Sequence, residues 1–280
     1  MYVIQNDAHN KHYCPNRYFS GYSQININSG LNIKSLKRGS GFLLRNKNIN
    51  ATDYKETHHT KIRIAIILTN TKIKSDSVNV RFDKIIVSDN YPMFDQKIIT
   101  KFQIVMNSNY IDAVCYYGFT KILDFWKKTC QCLNYSRDVM TIASSNNNVN
   151  ILEWWLNSNL PFKYSKIELD EASSKGYINV LQWWKCSGLM LKYSIKTLDY
   201  ASFNDHVDVL DWWFNSGLEL KYSEKALEFA SYCGNVRVLQ WWKNSNLELK
   251  YSTNILHSIS IAPKENRSAI QSLWRKMGII

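Results

Sequence analysis

Proline and glycine are scarce in this 280-residue chain, at four and ten residues, which excludes a collagen-like or Pro/Gly low-complexity polymer. Histidine and cysteine number only six each. The cysteines, at 14, 115, 130, 132, 186 and 233, are too dispersed for the disulfide framework of a small secreted domain. No signal-type apolar segment precedes them, so reduced thiols in the cytoplasm are the expectation. His9, His12 and Cys14, and the Cys-x-Cys of Cys130 and Cys132, lack the paired and correctly spaced partners of a zinc site. His58-His59 beside Glu56 reads as a solvated turn and not as a general base. The chain contains no Gly-x-Gly-x-x-Gly, no Gly-x-x-x-x-Gly-Lys phosphate loop and no nucleophile elbow. No catalytic residue, metal or cofactor is therefore expected, and the chain reads as not an enzyme. Long apolar runs are missing as well. Ile62 to Thr69 is interrupted by Arg63 and falls short of the ~18–20 apolar residues of a membrane span, so it reads as a buried strand with no membrane partner. Acidic residues are the minority sign, 23 against 35 basic, for a net charge of +12 concentrated toward the N-terminal end. That balance suits an anionic partner or simple solubility, and alone it does not choose between them.

What the sequence has in quantity is apolar and aromatic side chains, 45% and 14%, more than a disordered chain carries. They recur on a clock. Trp154-Trp155, Trp183-Trp184, Trp212-Trp213 and Trp241-Trp242 follow one another at about 29 residues, with Phe125-Trp126 one period earlier. Tyr-Ser keeps the same interval at Tyr135-Ser136, Tyr164-Ser165, Tyr193-Ser194, Tyr222-Ser223 and Tyr251-Ser252. Trp274 comes slightly late, after an insertion near Ala262-Pro263-Lys264, as an atypical terminal repeat would.

Each unit predicts two helices. In Tyr222 to Lys250, Ser223 is placed to cap a first helix whose Ala226, Leu227 and Ala230 have i, i+3, i+4 apolar spacing. Gly234 ends it, since glycine tolerates the left-handed turn that closes helices. Val236, Val238, Leu239, Trp241 and Trp242 continue as a second helix, closed by Ser245-Asn246 where sister units have Ser-Gly. Ser165 and Glu168 have capping-box spacing. Helices of about ten residues cannot bury such a stripe alone, so neighbouring units must stack, and the tandem tryptophans read as the glue of that stack.

The order of residues in the unit resembles the ankyrin repeat. Lys225-Ala226-Leu227-Glu228-Phe229-Ala230-Ser231 occupies the place of the family's Thr-Pro-Leu-His-x-Ala-Ala, and Gly234-Asn235 that of its Gly-His. Val238-Leu239-Gln240-Trp241-Trp242 matches its outer-helix Val-Val-x-Leu-Leu, and Ser216-Gly217-Leu218 its closing Gly-Ala. The unit is about four residues shorter than the family standard, which leaves no room for a projecting β-hairpin between Gly217 and Leu227. The shortened, Trp-rich ankyrin-type proteins of giant DNA viruses of amoebae are the most similar. Phe82 to Val87 and Tyr91 to Asp95 resemble the segment preceding the repeats in those viral proteins. The resemblance implies protein binding in the cytoplasm, host cytoplasm if the chain is viral.

Residues 1–106 lack the clock and read as a β-containing N-terminal region, a candidate cap. Gly41 to Leu44, Lys61 to Thr69 and Val78 to Val87 are strand-like, Asn6 to Ser40 loop-like, and Asp95 is placed to cap a helix through Ile98, Ile99 and Phe102. The fold expected is an all-α repeat solenoid of about six ankyrin-like helix pairs over 107–280, behind that small β-containing region.

Recognition is expected where units differ. The two slots after the small pair ending each first helix hold Tyr116-Tyr117, Ser145-Asn146, Ser174-Lys175, Phe203-Asn204 and Tyr232-Cys233, which the ankyrin resemblance places on the concave face. These read as the partner-binding residues of a monomeric protein-protein scaffold or adaptor. Lys163, Lys192, Lys221 and Lys250 recur along one edge and are the alternative, an anionic contact that with the basic N-terminal region would bind nucleic acid or another anionic surface.

Overall fold

A computed structural model of the protein describes residues 2–6, 34–37, 61–67, 73–75, 80–82, 84–87, 91–102, 104, 106–130 and 133–280. Contacts divide the chain into two units, Met1–Ser136 and Arg137–Ile280, each considered by itself. His9, His12, Cys14, Glu56, His58, His59, Cys132 and the expected strand at Gly41 to Leu44 lie outside the described residues.

In the first unit, β1 (Tyr2–Asn6), β3 (Lys61–Ile67), β6 (Lys84–Val87) and β2 (Lys34–Lys37) lie in that order in one antiparallel sheet, with β7 (Tyr91–Pro92) also paired to β3. β4 (Ile73–Ser75) pairs antiparallel with β5 (Val80–Phe82). Strand is thus described at 61–67 within the expected 61–69, and the expected 78–87 holds two strands, β5 and β6, with different partners. β2 was not expected, because Lys34-Ser35-Leu36-Lys37 falls in the polar stretch read as loop; it is an edge strand, where lysine-rich sequence is tolerated. Helix α1 (Gln96–Phe102) starts where Asp95 Oδ1 accepts the Ile98 N–H at 3.0 Å. Helices α2 (Ser108–Tyr117) and α3 (Thr120–Thr129) form the first helix pair. Tyr110, fully buried, donates its hydroxyl to the Met93 carbonyl at 2.8 Å, and Phe94 packs on Tyr110, Tyr117 and Phe119.

The second unit is a run of five pairs: α4 (Val139–Ser144) with α5 (Val149–Asn157), α6 (Ile167–Ser174) with α7 (Ile178–Cys186), and α8 (Lys196–Phe203) with α9 (Val207–Asn215). Then come α10 (Lys225–Cys233) with α11 (Val236–Asn244), and α12 (Ile255–Ile261) with α13 (Lys264–Lys276). The chain is an all-α repeat solenoid with a small β-containing N-terminal region.

The repeat sequence dictates each turn. Ser165, Ser194, Ser223 and Ser252 each accept a backbone N–H two residues on, at 3.1–3.2 Å, which starts the first helix. The first helix ends in a left-handed residue, Asn147, Gly176, Asp205 or Gly234 by turn. The following N–H, of Asn148, Tyr177, His206 or Asn235, returns to an alanine carbonyl five residues back at 2.8–3.0 Å, the closing bond of a Schellman motif. A second left-handed slot, at Asn159, Gly188, Gly217 and Asn246, closes the second helix. First helices line up beside one another, as do second helices, and the first-helix layer is the more tightly packed. Its inner slots hold alanine and serine, Ala172-Ser173, Ala201-Ser202 and Ala230-Ser231, all fully buried, whereas the second helices insert tryptophan.

Candidate interaction face

The constant slots of the repeat are occupied by bonds between units. The second tryptophan of each pair is buried, and its indole N–H reaches the preceding unit's first-helix serine: Trp184 to Ser144, Trp213 to Ser173 and Trp242 to Ser202 at 2.9 Å, and Trp274 to Ser231 at 3.0 Å. The first tryptophan is half-buried on the second-helix layer and donates to the residue preceding the previous pair. Trp183 bonds Glu153 at 2.8 Å, Trp212 bonds Gln182 at 3.1 Å and Trp241 bonds Asp211 at 2.6 Å. The Trp183 and Asn157 bonds hold the Glu153 carboxyl below its ordinary range.

A third ladder was not foreseen from sequence. Buried Asp170 accepts both the backbone N–H and the hydroxyl of Ser194 in the next unit, at 2.9 and 2.6 Å, and Asp199 takes Ser223 at the same two distances. Glu228, half-buried, accepts the Ser252 hydroxyl. Each acid thereby fixes the cap of the following unit's first helix. Burial pushes the Asp199 carboxyl up, against the pull of its two bonds from Ser223. Of the expected capping box the glutamate arm is present, with the Ser165 N–H on Glu168 at 2.8 Å, while the Ser165 hydroxyl accepts the Ile167 N–H at 3.1 Å.

The lysine edge is bound into the same framework. Lys192, Lys221 and Lys250 lie over the rings of Tyr164, Tyr193 and Tyr222 at 4.5, 4.7 and 4.4 Å, and those rings pack on Trp184, Trp213 and Trp242. Lys221 also pairs with Glu219 at 3.5 Å. A shallow groove of about 540 Å³ runs between Tyr164, Lys166, Lys192, Tyr193 and Lys221. Lys163 is exposed and its backbone N–H bonds the Arg137 carbonyl at 3.2 Å. Three of the four lysines thus rest on aromatic faces, one in each successive unit.

Of the ten residues expected to bind a partner, the second-slot members divide from the first. Lys175 Nζ bonds the Ser145 carbonyl at 2.8 Å, Asn204 bonds the Ser174 carbonyl at 2.8 Å and hydroxyl at 3.1 Å, and Asn146 turns back onto Ile142. Cys233 is half-buried, which raises its thiol pKa. These ties make the second slot a seam between first helices. The first slot is exposed at Phe203, 40%, and at Tyr232, 49%, whereas Tyr116 is half-buried. Ser145 and Ser174 hold the same slot half-buried. In the first unit Tyr116 and Tyr117 meet edge to face at 4.9 Å, and burial raises the Tyr117 pKa to about 12.

Sequence reasoning missed Tyr200 and Phe229, which lie one helical turn before Phe203 and Tyr232 on the same face. Phe229 packs against Phe203 at 5.3 Å and Tyr200 at 6.3 Å. The signal was available as i, i+3 spacing within each first helix.

A stack of helix pairs held by constant residues, carrying a face that changes from unit to unit, defines a helix-pair repeat protein. Residues 198–241 match the family model of ankyrin repeats, a class that mediates protein-protein interaction. Among solved structures the chain is similar to an ankyrin repeat domain from Acinetobacter baumannii AYE, at 13% identity and a TM-score of 0.44, covering 60% of this chain and 97% of that one. No curated protein matches the sequence. Among the described residues no helix is long and apolar enough to cross a membrane, and no group of three or more His, Cys, Asp or Glu could hold a metal ion.

Proposed function

We propose that this chain is a non-enzymatic scaffold or adaptor that binds a protein partner through the first-helix face of its array, with residues 1–106 as a cap on the array 107–280. The carrying observation is the exposure of Phe203 and Tyr232 in a slot that neighbouring units fill with serine. Exposed aromatics are typical binding hot spots, and packing does not require them there. Tighter spacing of first helices than of second helices bends a stack toward the first-helix side, which supports reading this face as concave.

Nucleic-acid binding along the lysine edge is the weaker reading, because three of its four ammonium groups already sit on tyrosine rings. Kinship with the viral Trp-rich repeat proteins, and with it a monomeric cytoplasmic adaptor, rests on the 29-residue Trp-Trp and Tyr-Ser pattern.

The test is capture from a lysate of the native cell by the wild type and by a variant with Tyr116, Phe203 and Tyr232 changed to Ser. Proteins held by the wild type and lost by the variant support the reading. An unchanged set of captured proteins moves recognition to another surface.

A further inference from the structure

The first-helix face of the second unit changes character along the array. Helix α6 presents Ile167, Glu171 and Ser174; α8 presents Lys196, Tyr200 and Phe203; α10 presents Lys225, Phe229 and Tyr232; and α12 ends in Ile261. Within α8 and α10 these residues stand at i, i+4 and i+7, so each trio shares one face. Phe203, Tyr232 and Ile261 fill one slot in three successive units and are 40%, 49% and 47% exposed. Phe229 joins the rows by packing on both Phe203 and Tyr200. Lys196 stands 5.6 Å over the Tyr200 ring, and Lys225 occupies the same slot one unit on. Among the described residues no carboxylate forms an ion pair with either lysine. The acids nearby are otherwise engaged or displaced: Asp199 is buried against Ser223, though its charge also acts on Lys225, Glu228 binds Ser252, Glu171 lies 3.7 Å from Lys175, and Glu224 precedes the helix.

We infer, resting on the protein-binding reading above, that this face takes an acidic amphipathic helix from a partner protein. Equivalent positions on neighbouring packed helices are about 8–10 Å apart, and seven residues of a helix rise roughly 10.5 Å. Apolar side chains at i, i+7 and i+14 of the partner meet Phe203, Tyr232 and Ile261 in turn. Carboxylates on the flank of that stripe meet Lys196 and Lys225. An extended segment turns only every second residue to one face, so its like-facing side chains stand about 6.6 or 13 Å apart and only bracket that spacing. It would also lie on helices whose backbone is already bonded and would find no edge to pair with, whereas a helix satisfies its own backbone. Nucleic acid is disfavoured because Phe203 and Phe229 meet edge to face at 78°, which leaves no flat platform for bases.

The experiment is selection of a displayed random-peptide library on the full chain. Enriched peptides are then titrated by fluorescence anisotropy against the wild type, Phe203→Ser/Tyr232→Ser and Lys196→Glu/Lys225→Glu, with labelled oligothymidine as the nucleic-acid probe. The proposal expects enriched sequences with seven-residue apolar spacing and flanking Asp or Glu that gain helicity on binding. The aromatic pair variant should weaken them about 30-fold and the charge-reversal pair about tenfold. Both lysines are exposed, so the charge-reversal variant keeps the test valid should the aromatic variant unfold. Peptides sensitive to the aromatic pair but indifferent to the lysine pair overturn the acidic helix and leave the binding face standing. Peptides indifferent to both overturn the face as well. Oligothymidine that binds the wild type and is lost on charge reversal makes the partner a nucleic acid, and a selection that enriches no acidic helix also overturns the proposal.

Discussion

Trp213 Nε1 lies 2.9 Å from Ser173 Oγ, and both residues are fully buried. The bond spans two units, and its counterparts occur at each following period, so one serine per repeat converts a large apolar side chain into a register pin. Burying an indole without a partner for its N–H is unfavourable, which selects the neighbour that brings the serine. Replacing Ser173 by Ala is expected to cost about 1–3 kcal/mol, because it strands that N–H. The pair Ser173→Ala/Trp213→Phe should cost less than the sum of the single changes. Denaturant titration of the four proteins checks this, and strict additivity would mean that the bond contributes no coupling.

Deleting the ring is a larger insult. Trp184→Ala, at a side chain 1% exposed between two units, is expected to lose about 3–5 kcal/mol from transfer and cavity terms together. A thermal midpoint equal to the wild type's would remove tryptophan from its role in the stack.

Two glycines separate backbone strain from crowding. Gly176 and Gly217 have φ of 76° and 73°, but a Cβ on Gly176 would lie 2.9 Å from the His206 ring while one on Gly217 would meet nothing within 4 Å. Gly217→Ala should therefore cost roughly 1–2 kcal/mol from left-handed strain alone, and Gly217→Asn less, since asparagine fills that slot in sister units. Gly176→Ala should cost more than Gly217→Ala by thermal unfolding. Equal losses would show that His206 moves aside freely.

The array was legible in the sequence because a repeat states the same physics several times. One Trp-Trp pair is ambiguous, but four at a common interval mark a stacked repeat, the helical spacing within each unit makes its elements helices, and the Gly, Asn and Asp residues in left-handed slots sit at both turns. The aromatic slot at Phe203 and Tyr232 was found by the opposite test, variation within constancy. What stayed hidden needed three dimensions. Nothing in the sequence sets Asp170 and Asp199 apart, yet both are buried and accept the serine hydroxyl of the next unit. Asn204 and Lys175 also vary between units, and their bonds to neighbouring carbonyls are set by side-chain reach, which spacing does not encode. β2 escaped notice because a four-residue edge strand with Leu36 as its one apolar residue carries little apolar signal.

Asp199 gives the stack a pH signature. Burial raises its pKa above the ordinary 3.8, so between 3.8 and the raised value the folded state binds more protons than the unfolded chain. Stability from this group is then greatest below that window and falls as pH rises through it. Asp199→Asn lacks the titration. The wild type's stability minus that of Asp199→Asn should decrease from acid toward neutral pH in paired denaturant titrations. A difference that grows instead would mean that the Ser223 bonds outweigh burial.

Phe203 and Tyr232 share a slot but not a surrounding. Tyr232 is 49% exposed, whereas Phe203, at 40%, sets its ring edge to face against Phe229 at 5.3 Å. An ordinary exposed side chain changes stability by only about ±0.5 kcal/mol when replaced, and an aromatic pair adds about 0.5–1.5 kcal/mol beyond burial. Tyr232→Ser is accordingly expected to unfold at nearly the wild-type midpoint, and Phe203→Ser slightly below it. Serine already occupies the slot at positions 145 and 174, so neither change introduces a residue foreign to the repeat. Circular dichroism during thermal unfolding separates the outcomes. A large loss from Tyr232→Ser would show that its ring supports the fold, and the slot would cease to be a site free for recognition.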